Sequence, residues 1–332
     1  MPNIQKRASI LFLLALLIAE VSAEPTAMIP ETSKPHINDG NPEVARDDKI
    51  FVIDTLSDLV SLFNRANQTF SYQSLFTYEA NGYITTYRLY HRFKGGQIHQ
   101  KLLFLDGPPR EVVRQQSLFN CELGDTAIGV WSIPQPESSL SSYDFKVRGV
   151  ERVADRNAVI FDIYPKDTYR YGYRYSVDKS TGLILKVITY EKEKIIERLQ
   201  TVSLQLADES GWPEEKTTAN YIWRVPEIEP CQTEQYQTSW QVTWLPDGFE
   251  SVGTRLTAQG EQVLMYADGL VSLSVFITNH AFLPLKKATA RHGATVMVVT
   301  PVDFEPDRSI AVVGEIPVLT ARRIARSVEA VK

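Results

Sequence analysis

The apolar residues of one segment, between residues 54 and 66, fall into helical spacing. They recur every three or four positions, at Leu56, Leu59, Val60 and Phe63. This spacing places them along one face of an α-helix, and Asp54 or Thr55 can cap its first turn. The segment is therefore predicted to be an amphipathic helix that buries one side.

From Phe70 the spacing changes to two, which is typical of β-strands. Residues alternate over 86–93, Gly95-Gly96 marks a turn, and extended segments are predicted at 98–105 and 110–114. A loop must separate the last two, because Pro108 and Pro109 cannot donate to a β-ladder. Further strands are predicted at 169–177, 183–190 and 195–206. This succession predicts a large antiparallel sheet behind one helix.

A second β-rich region follows a stretch without periodicity. Residues 207–233 contain three prolines and several acidic residues, and they are predicted to link a domain at 50–206 to a domain at 234–332. Strands of the second domain are predicted at 240–245, 262–267, 270–278, 296–299 and 310–313. Asp268-Gly269 provides a hairpin turn.

The C-terminal segment 318–331 again has helical spacing, with Leu319, Ile324 and Val328 as expected buried positions. The arginines of this segment, Arg322, Arg323 and Arg326, are expected on its wetter side. Two β-rich domains with a helix each predict an α+β fold that is mostly β.

The N-terminal residues have the order of a secretory signal. Lys6 and Arg7 precede an apolar run over 8–19, and Val21-Ser22-Ala23 supplies the small residues that signal peptidase requires. We expect cleavage after Ala23 and export, with a buried N-terminal helix as the alternative. Residues 24–49 are polar and contain four prolines, so they are predicted to be a disordered leader.

Composition narrows the class of partner. The chain has 332 residues and a formal net charge of −5, and it lacks a basic stripe, which argues against nucleic acid as a partner. Its two cysteines, Cys121 and Cys231, fall in different predicted segments. Export permits a disulfide between them, but two unpaired structural cysteines are the favoured interpretation.

Motifs for catalysis or metal binding are missing from the sequence. It contains no G-x-S-x-G elbow, no phosphate-binding glycine loop and no HExxH pair. His91 and His99 lie on neighbouring predicted strands, where ordinary sheet positions explain them. The chain is therefore predicted to be neither an enzyme nor a holder of a metal or cofactor.

Two groups of side chains could carry function by binding. The first is apolar and mostly aromatic: Phe70, Tyr72, Phe76, Tyr78, Tyr87, Leu89 and Phe93. Alternation along strands places many of them on one face of the sheet, where they would line a cavity for acyl chains or form a plain core under the helix. The second group is basic: Arg110, Arg114, Lys166, Arg170 and Arg174. These cations lie among aromatic residues, so they would contact an anion or a partner, or form cation–π pairs at solvated strand ends.

Several stretches, in order, resemble the MucB/RseB family of sigma-E regulatory proteins. They are 105–114 (LDGPPREVVR), 152–156 (RVADR), 164–173 (YPKDTYRYGY), 244–249 (WLPDGF), 268–277 (DGLVSLSVFI) and 313–321 (VGEIPVLTA). The resemblance extends from about residue 54 to the C-terminus. It implies an N-terminal domain similar to the lipoprotein carriers LolA and LolB, a half-barrel with helices on its concave face. A smaller sheet with a helix is implied for the C-terminal domain.

The resemblance also implies a function. The family is periplasmic and binds the periplasmic region of an inner-membrane anti-sigma factor of the RseA/MucA type, which it shields from proteolysis. Lipopolysaccharide or acyl lipid is the expected releasing ligand, and a homo-oligomer is left open. The alternative is a periplasmic carrier of lipid or lipoprotein, because the carrier fold alone would permit that role.

Overall fold

The computed structural model describes residues 53–117, 137–207, 221–224, 238–257, 260–279, 287–302 and 305–331. The predicted signal sequence, the predicted leader and both cysteines lie outside these residues, so those interpretations stay predictions. The described part of the chain belongs to one compact unit. Neither helix within it has the length and apolarity needed to cross a bilayer.

The first helix, α1, spans Leu56–Asn67, close to its predicted position. Thr55 is the N-cap: its hydroxyl accepts the Asp58 amide at 3.1 Å, and the Asp58 carboxylate accepts the Thr55 amide at 2.9 Å. This reciprocal capping box satisfies two amides that the first turn would otherwise leave without partners. Leu59 and Phe63 are buried, as the spacing predicted.

Within the described part of the chain, ten strands form the first sheet. They are β1 Tyr72–Ala80, β2 Tyr83–Lys94, β3 Gln97–Phe104, β4 Arg110–Ser117, β5 Tyr143–Val153, β6 Arg156–Pro165, β7 Gly172–Asp178, β8 Ile184–Glu191, β9 Lys194–Leu206 and β10 Tyr221–Arg224. Their order across the sheet is β10-β4-β3-β2-β1-β9-β8-β7-β6-β5. A 3₁₀ helix at Glu137–Ser142 precedes β5.

Strand β10 lies inside the segment that was predicted to be a linker. It pairs with β4 in parallel, with Tyr221 opposite Arg110, whereas the other described pairs of this sheet are antiparallel. Four residues are too short to show periodicity in sequence. The first sheet therefore extends further along the chain than the prediction placed it.

Among the described residues, the second sheet has six antiparallel strands in the order β12-β13-β14-β17-β16-β15. They are β12 Glu250–Leu256, β13 Gln262–Ala267, β14 Ser272–Asn279, β15 Ala288–His292, β16 Thr295–Val302 and β17 Glu305–Gly314. A separate pair joins β11, Trp240–Val242, to β18, Val328–Ala330. With the large first sheet, this arrangement confirms the mostly β fold class. The curved half-barrel implied by the resemblance stays a prediction.

The second helix, α2, spans Val318–Arg326 and is shorter than predicted. The chain turns at Ser327 and continues as β18, because the backbone of β11 offers Val328 a strand partner. Ile324 is buried as predicted, but the prediction for Leu319 was wrong, since 76% of it is exposed. The buried face of α2 instead contains Thr320, Ala321, Ile324 and Ala325.

Most of the buried apolar residues of both sheets and both helices form one continuous cluster, and two smaller clusters lie apart from it. At the turn between β7 and β8, α1 approaches the sheet so closely that a Cβ on Gly182 would lie 2.6 Å from Leu62 Cδ1. Gly182 also has a φ of +76°, which side chains other than glycine rarely adopt. A glycine at this position therefore allows Leu62 of α1 to pack directly against the turn between β7 and β8.

Candidate functional site

Most of the seven predicted cavity residues lie on the side of the first sheet that packs against α1, here called the α1 face. Tyr72, Phe76, Tyr87 and Leu89 are buried there in the main core, and Phe70 and Tyr78 are partly buried against it. Phe93 is also partly exposed. The rings of Phe76 and Tyr87 stack with centroids 5.3 Å apart. The four buried side chains therefore form part of a core under a helix, and an acyl chain that reached them would have to displace protein atoms.

A neutral histidine ties this face to α1. The Nε2–H group of His91 donates to the Asn67 carbonyl at 2.7 Å, and its Nδ1 accepts from the Gln100 side-chain amide at 3.1 Å. Tyr72 stacks on the imidazole ring at 4.7 Å between centroids and donates its hydroxyl to the Asn67 side chain at 3.0 Å. Burial lowers the pKa of His91 to about 4. The imidazole is therefore neutral at physiological pH, with both nitrogens satisfied.

The two sheets meet at a polar contact surface that we call the seam. On the side of the first sheet it includes Tyr78, Tyr143, Asp167, Tyr169–Tyr171, Glu191 and Glu197, and on the other side Trp244, Asp247, Phe249, Asp268, Arg291, Gly293–Ala294, Glu315–Ile316, Thr320 and Arg323. Its central contact is an ion pair with both side chains fully buried, in which Arg170 Nε donates to Asp268 Oδ2 at 2.7 Å. The two residues are 98 positions apart in the chain.

The Asp268 carboxylate accepts four hydrogen bonds. Besides Arg170, the Tyr143 hydroxyl donates to Oδ2 at 2.8 Å, and the amides of Leu270 and Val271 donate to Oδ1 at 3.1 and 2.9 Å. Burial first, and then the negative charge of Asp268, raise the pKa of Tyr143 well above its usual range. Tyr143 therefore remains a hydrogen-bond donor. Each oxygen of the buried Asp268 carboxylate accepts two hydrogen bonds.

The Arg170 guanidinium uses its remaining donors on both sides of the seam. It donates to the Asp167 carboxylate and to the Asp247 carbonyl. Its charged plane lies 4.8 Å from the Phe249 ring centroid. A buried ion pair with this many partners is costly to break from one side, because the remaining charge would be left without compensation.

A second contact joins the loop before β7 to α2. Tyr171 donates its hydroxyl to the Ile316 carbonyl at 2.9 Å, and Thr320 donates to the Tyr169 carbonyl at 3.0 Å. Arg323 donates to the Tyr169 hydroxyl at 2.8 Å and lies 3.8 Å from the Trp244 ring centroid. The loop was predicted to be the start of a strand, but β7 begins only at Gly172 because the residues before it turn toward the second sheet.

A third contact places the β15–β16 hairpin against the first sheet. The Glu197 carboxylate accepts the Ala294 amide at 2.8 Å, the Tyr78 hydroxyl at 2.7 Å and the Thr189 hydroxyl at 3.0 Å. Beside it, Arg291 pairs with Glu191 across the seam at 2.8 Å. One carboxylate of β9 thus accepts bonds from two strands of its own sheet and from the opposite hairpin.

Glu315 brings a second carboxyl group to this part of the seam. Burial of the carboxyl group first, and then the negative charge of Glu197, raise the pKa of Glu315 to about 7. Glu315 therefore changes charge near neutral pH.

The structure does not bring the five predicted basic residues together as one anion site. Arg170 is buried in the seam, and Arg174 points to the opposite face of β7 from Tyr173, where it binds Asp162 at 2.6 Å. Lys166 pairs with Asp144 at 3.5 Å. Arg110 and Arg114 lie on β4, and five strands separate β4 from β7 in the sheet order. Strand alternation and sheet order, which a list of basic residues ignores, account for the difference.

The seam residues that sequence reasoning missed are Tyr143, Glu197, Asp268, Glu315 and Arg323. Asp268 was interpreted only as a turn residue, and it does accept the amides of its own turn. The DGL and VGEIP motifs, which carry the family resemblance, contain Asp268 and Glu315 and could have drawn attention to these two residues. Among the residues that the structure describes, no group of three or more His, Cys, Asp or Glu side chains is arranged to hold a metal ion.

Comparison with known families and sequences covers nearly the whole described region. The model of the MucB/RseB N-terminal domain matches residues 55–222, and that of the MucB/RseB C-terminal domain matches residues 234–329. The sigma factor AlgU regulatory protein MucB of Pseudomonas aeruginosa is 32% identical over 82% of this chain and 90% of its own length. The sigma-E factor regulatory protein RseB of Escherichia coli is 26% identical over 82% of this chain and 89% of its own length.

Solved structures of MucB are also similar to this chain along most of its length. A crystal structure of MucB in complex with MucA(peri) aligns with a TM-score of 0.62 at 32% identity, covering 84% of this chain and all of that chain. A crystal structure of MucB aligns with a TM-score of 0.61 at 30% identity, covering 83% of this chain and 98% of that chain.

Proposed function

Because the chain belongs to the MucB/RseB family, we propose that it is a periplasmic negative regulator of a sigma-E-type envelope stress response. It acts by binding and without catalysis. Its partner is the periplasmic region of an inner-membrane anti-sigma factor of the RseA/MucA type, which it shields from proteolysis. The observation that carries this proposal is the likeness to MucB along both sheets, including the MucB that was solved with MucA(peri).

The seam supports a regulatory role that depends on both sheets. Its central ion pair, its loop-to-helix contact and its hairpin contact all join residues of one sheet to residues of the other. A change in the relative position of the sheets would have to break or rearrange these bonds together. The seam is thus suited to two discrete arrangements that bind the partner with different affinity.

The releasing ligand in this proposal is lipopolysaccharide or another acyl lipid that enters at the α1 face. The aromatic side chains there are covered by α1 and tied to it through Asn67. Acyl chains would replace part of that packing, and β1 extends from the α1 face to the seam through Tyr78. Lipid can weaken partner binding only by its own preference for one arrangement, so the partner must weaken lipid binding by the same factor.

A carrier of lipid or lipoprotein remains the second function to test. Such a carrier would need the α1 face but would not need the second sheet. The buried Arg170–Asp268 pair and the continuous core show how closely the second sheet is built onto the first. This favours the regulator over the carrier.

The experiment is equilibrium binding between the purified protein, without residues 1–23, and the periplasmic segment of its own organism's anti-sigma factor. Lipopolysaccharide and a detergent of matched micelle size are compared as competitors. We expect tight binding that lipopolysaccharide weakens and the detergent does not. Protease protection of the segment, measured in parallel, tests the shielding.

Two results would reject this proposal. Failure to bind the segment while acyl lipid is retained favours the carrier. Lipid affinity that is the same with and without the partner would contradict the coupling, because reciprocity requires both affinities to change equally.

A further inference from the structure

The exposed side of α2 combines three arginines with one leucine. Leu319, Arg322, Arg323 and Arg326 are all exposed, and their spacing of three and four positions aligns them along one side of the helix. The buried residues of α2 lie on its opposite side, against the second sheet. The helix contains no acidic residue. We call these four exposed residues the arginine stripe.

The arginines of the stripe bind only neutral groups of the chain. Arg322 donates to the Thr289 hydroxyl at 3.3 Å, and Arg323 donates to the Tyr169 hydroxyl at 2.8 Å. Among the residues that the structure describes, none of the three arginines is paired with a carboxylate. Arg170, by contrast, binds two aspartates in the seam. Most donors of the three guanidinium groups of the stripe therefore face solvent.

The surroundings of the stripe leave it positively charged. Lys287 is exposed and lies two positions before Thr289, the residue that Arg322 contacts, so it extends the positive surface. Glu329 follows α2 on β18, where its carboxylate accepts the Gln241 side-chain amide at 3.1 Å. The whole chain has a formal net charge of −5. A local positive surface on an acidic protein selects where an anionic partner binds, because the rest of the molecule repels it.

Apolar and aromatic side chains accompany these charges. Leu319 is 76% exposed, although leucine is ordinarily among the most buried residues. The rings of Tyr169 and Trp244, both partly exposed, meet edge to face at 5.2 Å between centroids. Arg323 lies 3.8 Å from the Trp244 ring centroid. Arginine beside tryptophan, tyrosine and an exposed leucine is the combination that rests on lipid headgroups at a membrane surface.

The shape of the stripe distinguishes a lipid surface from an acidic peptide. The stripe lies on the outer side of a helix, whose backbone groups bind within the helix, so it offers an extended peptide no strand edge to pair with. A lipid surface needs side chains alone. Its phosphates accept the paired donors of guanidinium groups, and the apolar layer beneath them accepts a leucine.

We propose that the arginine stripe docks the protein on an anionic phospholipid surface. Arg322, Arg323 and Arg326 contact headgroup phosphates, and Leu319 enters the boundary of the acyl layer. The stripe is separate from the α1 face, where single acyl chains are proposed to enter. Docking therefore does not depend on what else the chain binds.

The test is vesicle binding by the chain without residues 1–23. Vesicles of phosphatidylcholine alone are compared with vesicles that also contain phosphatidylglycerol, and the bound fraction is measured by co-sedimentation. We expect binding to the anionic vesicles only, and we expect added salt to weaken it because salt screens the charges. Each arginine near the surface should contribute about fivefold to the affinity.

The decisive variant is Arg322→Gln combined with Arg326→Gln. Both side chains are exposed and neither contacts a carboxylate among the described residues, so the urea midpoint of unfolding should not change. We expect the affinity for anionic vesicles to fall about thirtyfold. Leu319→Ala should lower it by about fivefold, because less apolar surface enters the acyl boundary.

Arg152→Gln is the matched control. Arg152 is also exposed, but it precedes the turn between β5 and β6, at the opposite end of β6 from the loop that contains Tyr169. This variant should change vesicle affinity by less than about twofold, because its charge lies outside the stripe. Uptake of monomeric lysophosphatidylcholine, an uncharged probe for the α1 face, should be the same in the double variant as in the original chain.

Three results would overturn the proposal. The first is equal binding of the original chain to neutral and anionic vesicles, and the second is undiminished vesicle binding by the double variant. The third uses polyglutamate as a soluble probe. If polyglutamate binds through Arg322 and Arg326 whereas anionic vesicles do not bind, the stripe takes an acidic peptide and does not dock on lipid.

Discussion

The α1 face and the seam are joined by the same strand, β1, yet different physical interactions stabilise them. The α1 face is a layer of apolar and aromatic side chains under a helix, and the neutral His91 side chain links it to the helix by a hydrogen bond to the Asn67 carbonyl. The seam is built on buried charges that have several hydrogen-bond partners, above all Arg170 and Asp268. Apolar packing tolerates small changes of shape, whereas a buried ion pair tolerates little, because each partner is costly without the other.

The difference matters for the proposed function. A region that must accept acyl chains needs packing that can rearrange, and aromatic and aliphatic side chains offer this at modest free-energy cost. A region that must change between two discrete arrangements needs contacts that are made or broken together. The first description fits the α1 face and the second fits the seam.

The largest expected effect breaks the seam from one side. Asp268→Ala leaves Arg170 buried without its carboxylate and removes the acceptor for Tyr143, so we expect the free energy of unfolding to fall by about 3–5 kcal/mol. Urea unfolding followed by fluorescence measures this. Adding Arg170→Met should recover part of the loss, because the stranded charge is then gone.

Arg152→Ala is the matched control for that loss. Arg152 pairs with Asp155, but 72% and 78% of their side chains are exposed. We expect a change of at most about 1 kcal/mol, since exposed ion pairs contribute little. A similar loss in both variants would show that burial is not what distinguishes the seam.

A second comparison uses conservative substitutions in each region. Arg170→Lys keeps the charge but loses the planar fork that reaches Asp268, Asp167 and the Asp247 carbonyl, so we expect a loss of about 2 kcal/mol. Leu89→Met on the α1 face keeps volume and apolarity and should cost less than about 1.5 kcal/mol. Equal costs in parallel urea titrations would remove the distinction between the two regions.

The same distinction separates what the sequence could predict from what it could not. Period-two alternation and helical spacing predicted β2, β3, β13 and α1 nearly in place, because burying one face leaves a local trace in the sequence. The seam left no periodic pattern in the sequence. Arg170 and Asp268 are 98 residues apart, and each also had a local explanation, as a cation at a solvated strand end and as a turn residue.

The errors have the same physical origin. The end of α2 was predicted five residues too late, because only the distant strand β11 supplies the partner that turns residues 328–330 into a strand. The five basic residues looked like a cluster in sequence but are distributed over two faces and over strands that the sheet order separates. Both features depend on contacts between segments that are distant in the chain.

The third prediction concerns pH, where the two regions should respond with opposite sign. The pKa of His91 is about 4 in the folded chain and ordinarily 6.5, so the unfolded chain binds the proton first and the His91 contribution to stability is lost as the pH falls below 6.5. From pH 7.5 to pH 5.5 we expect a loss of about 1.4 kcal/mol. Glu315, with its raised pKa, acts in the opposite direction over much of this range.

The two contributions can be separated by measuring urea unfolding in a Glu315→Gln background. In that background the loss of stability at pH 5.5 should appear in full, and adding His91→Gln should abolish it. If the loss persists without His91, another group on the chain is responsible. His91 on the α1 face would then not be the group that makes the stability sensitive to acid.

The smallest effect tests the link between α1 and lipid. Thr55→Ala removes the N-cap hydroxyl that accepts the Asp58 amide, and we expect a loss of about 1 kcal/mol in the free energy of unfolding. If acyl chains enter by displacing α1, a chain whose helix is weakened at its first turn should bind acyl lipid more tightly. Thr69→Ala at the other end of the helix serves as the control, because it removes an exposed hydroxyl that donates to the Arg65 carbonyl. The seam contacts are untouched, so Arg170 and Asp268 should keep their coupling energy. Unchanged lipid affinity in Thr55→Ala, with the expected loss of stability, would mean that lipid enters without moving this helix, and the α1 face would then be a fixed core.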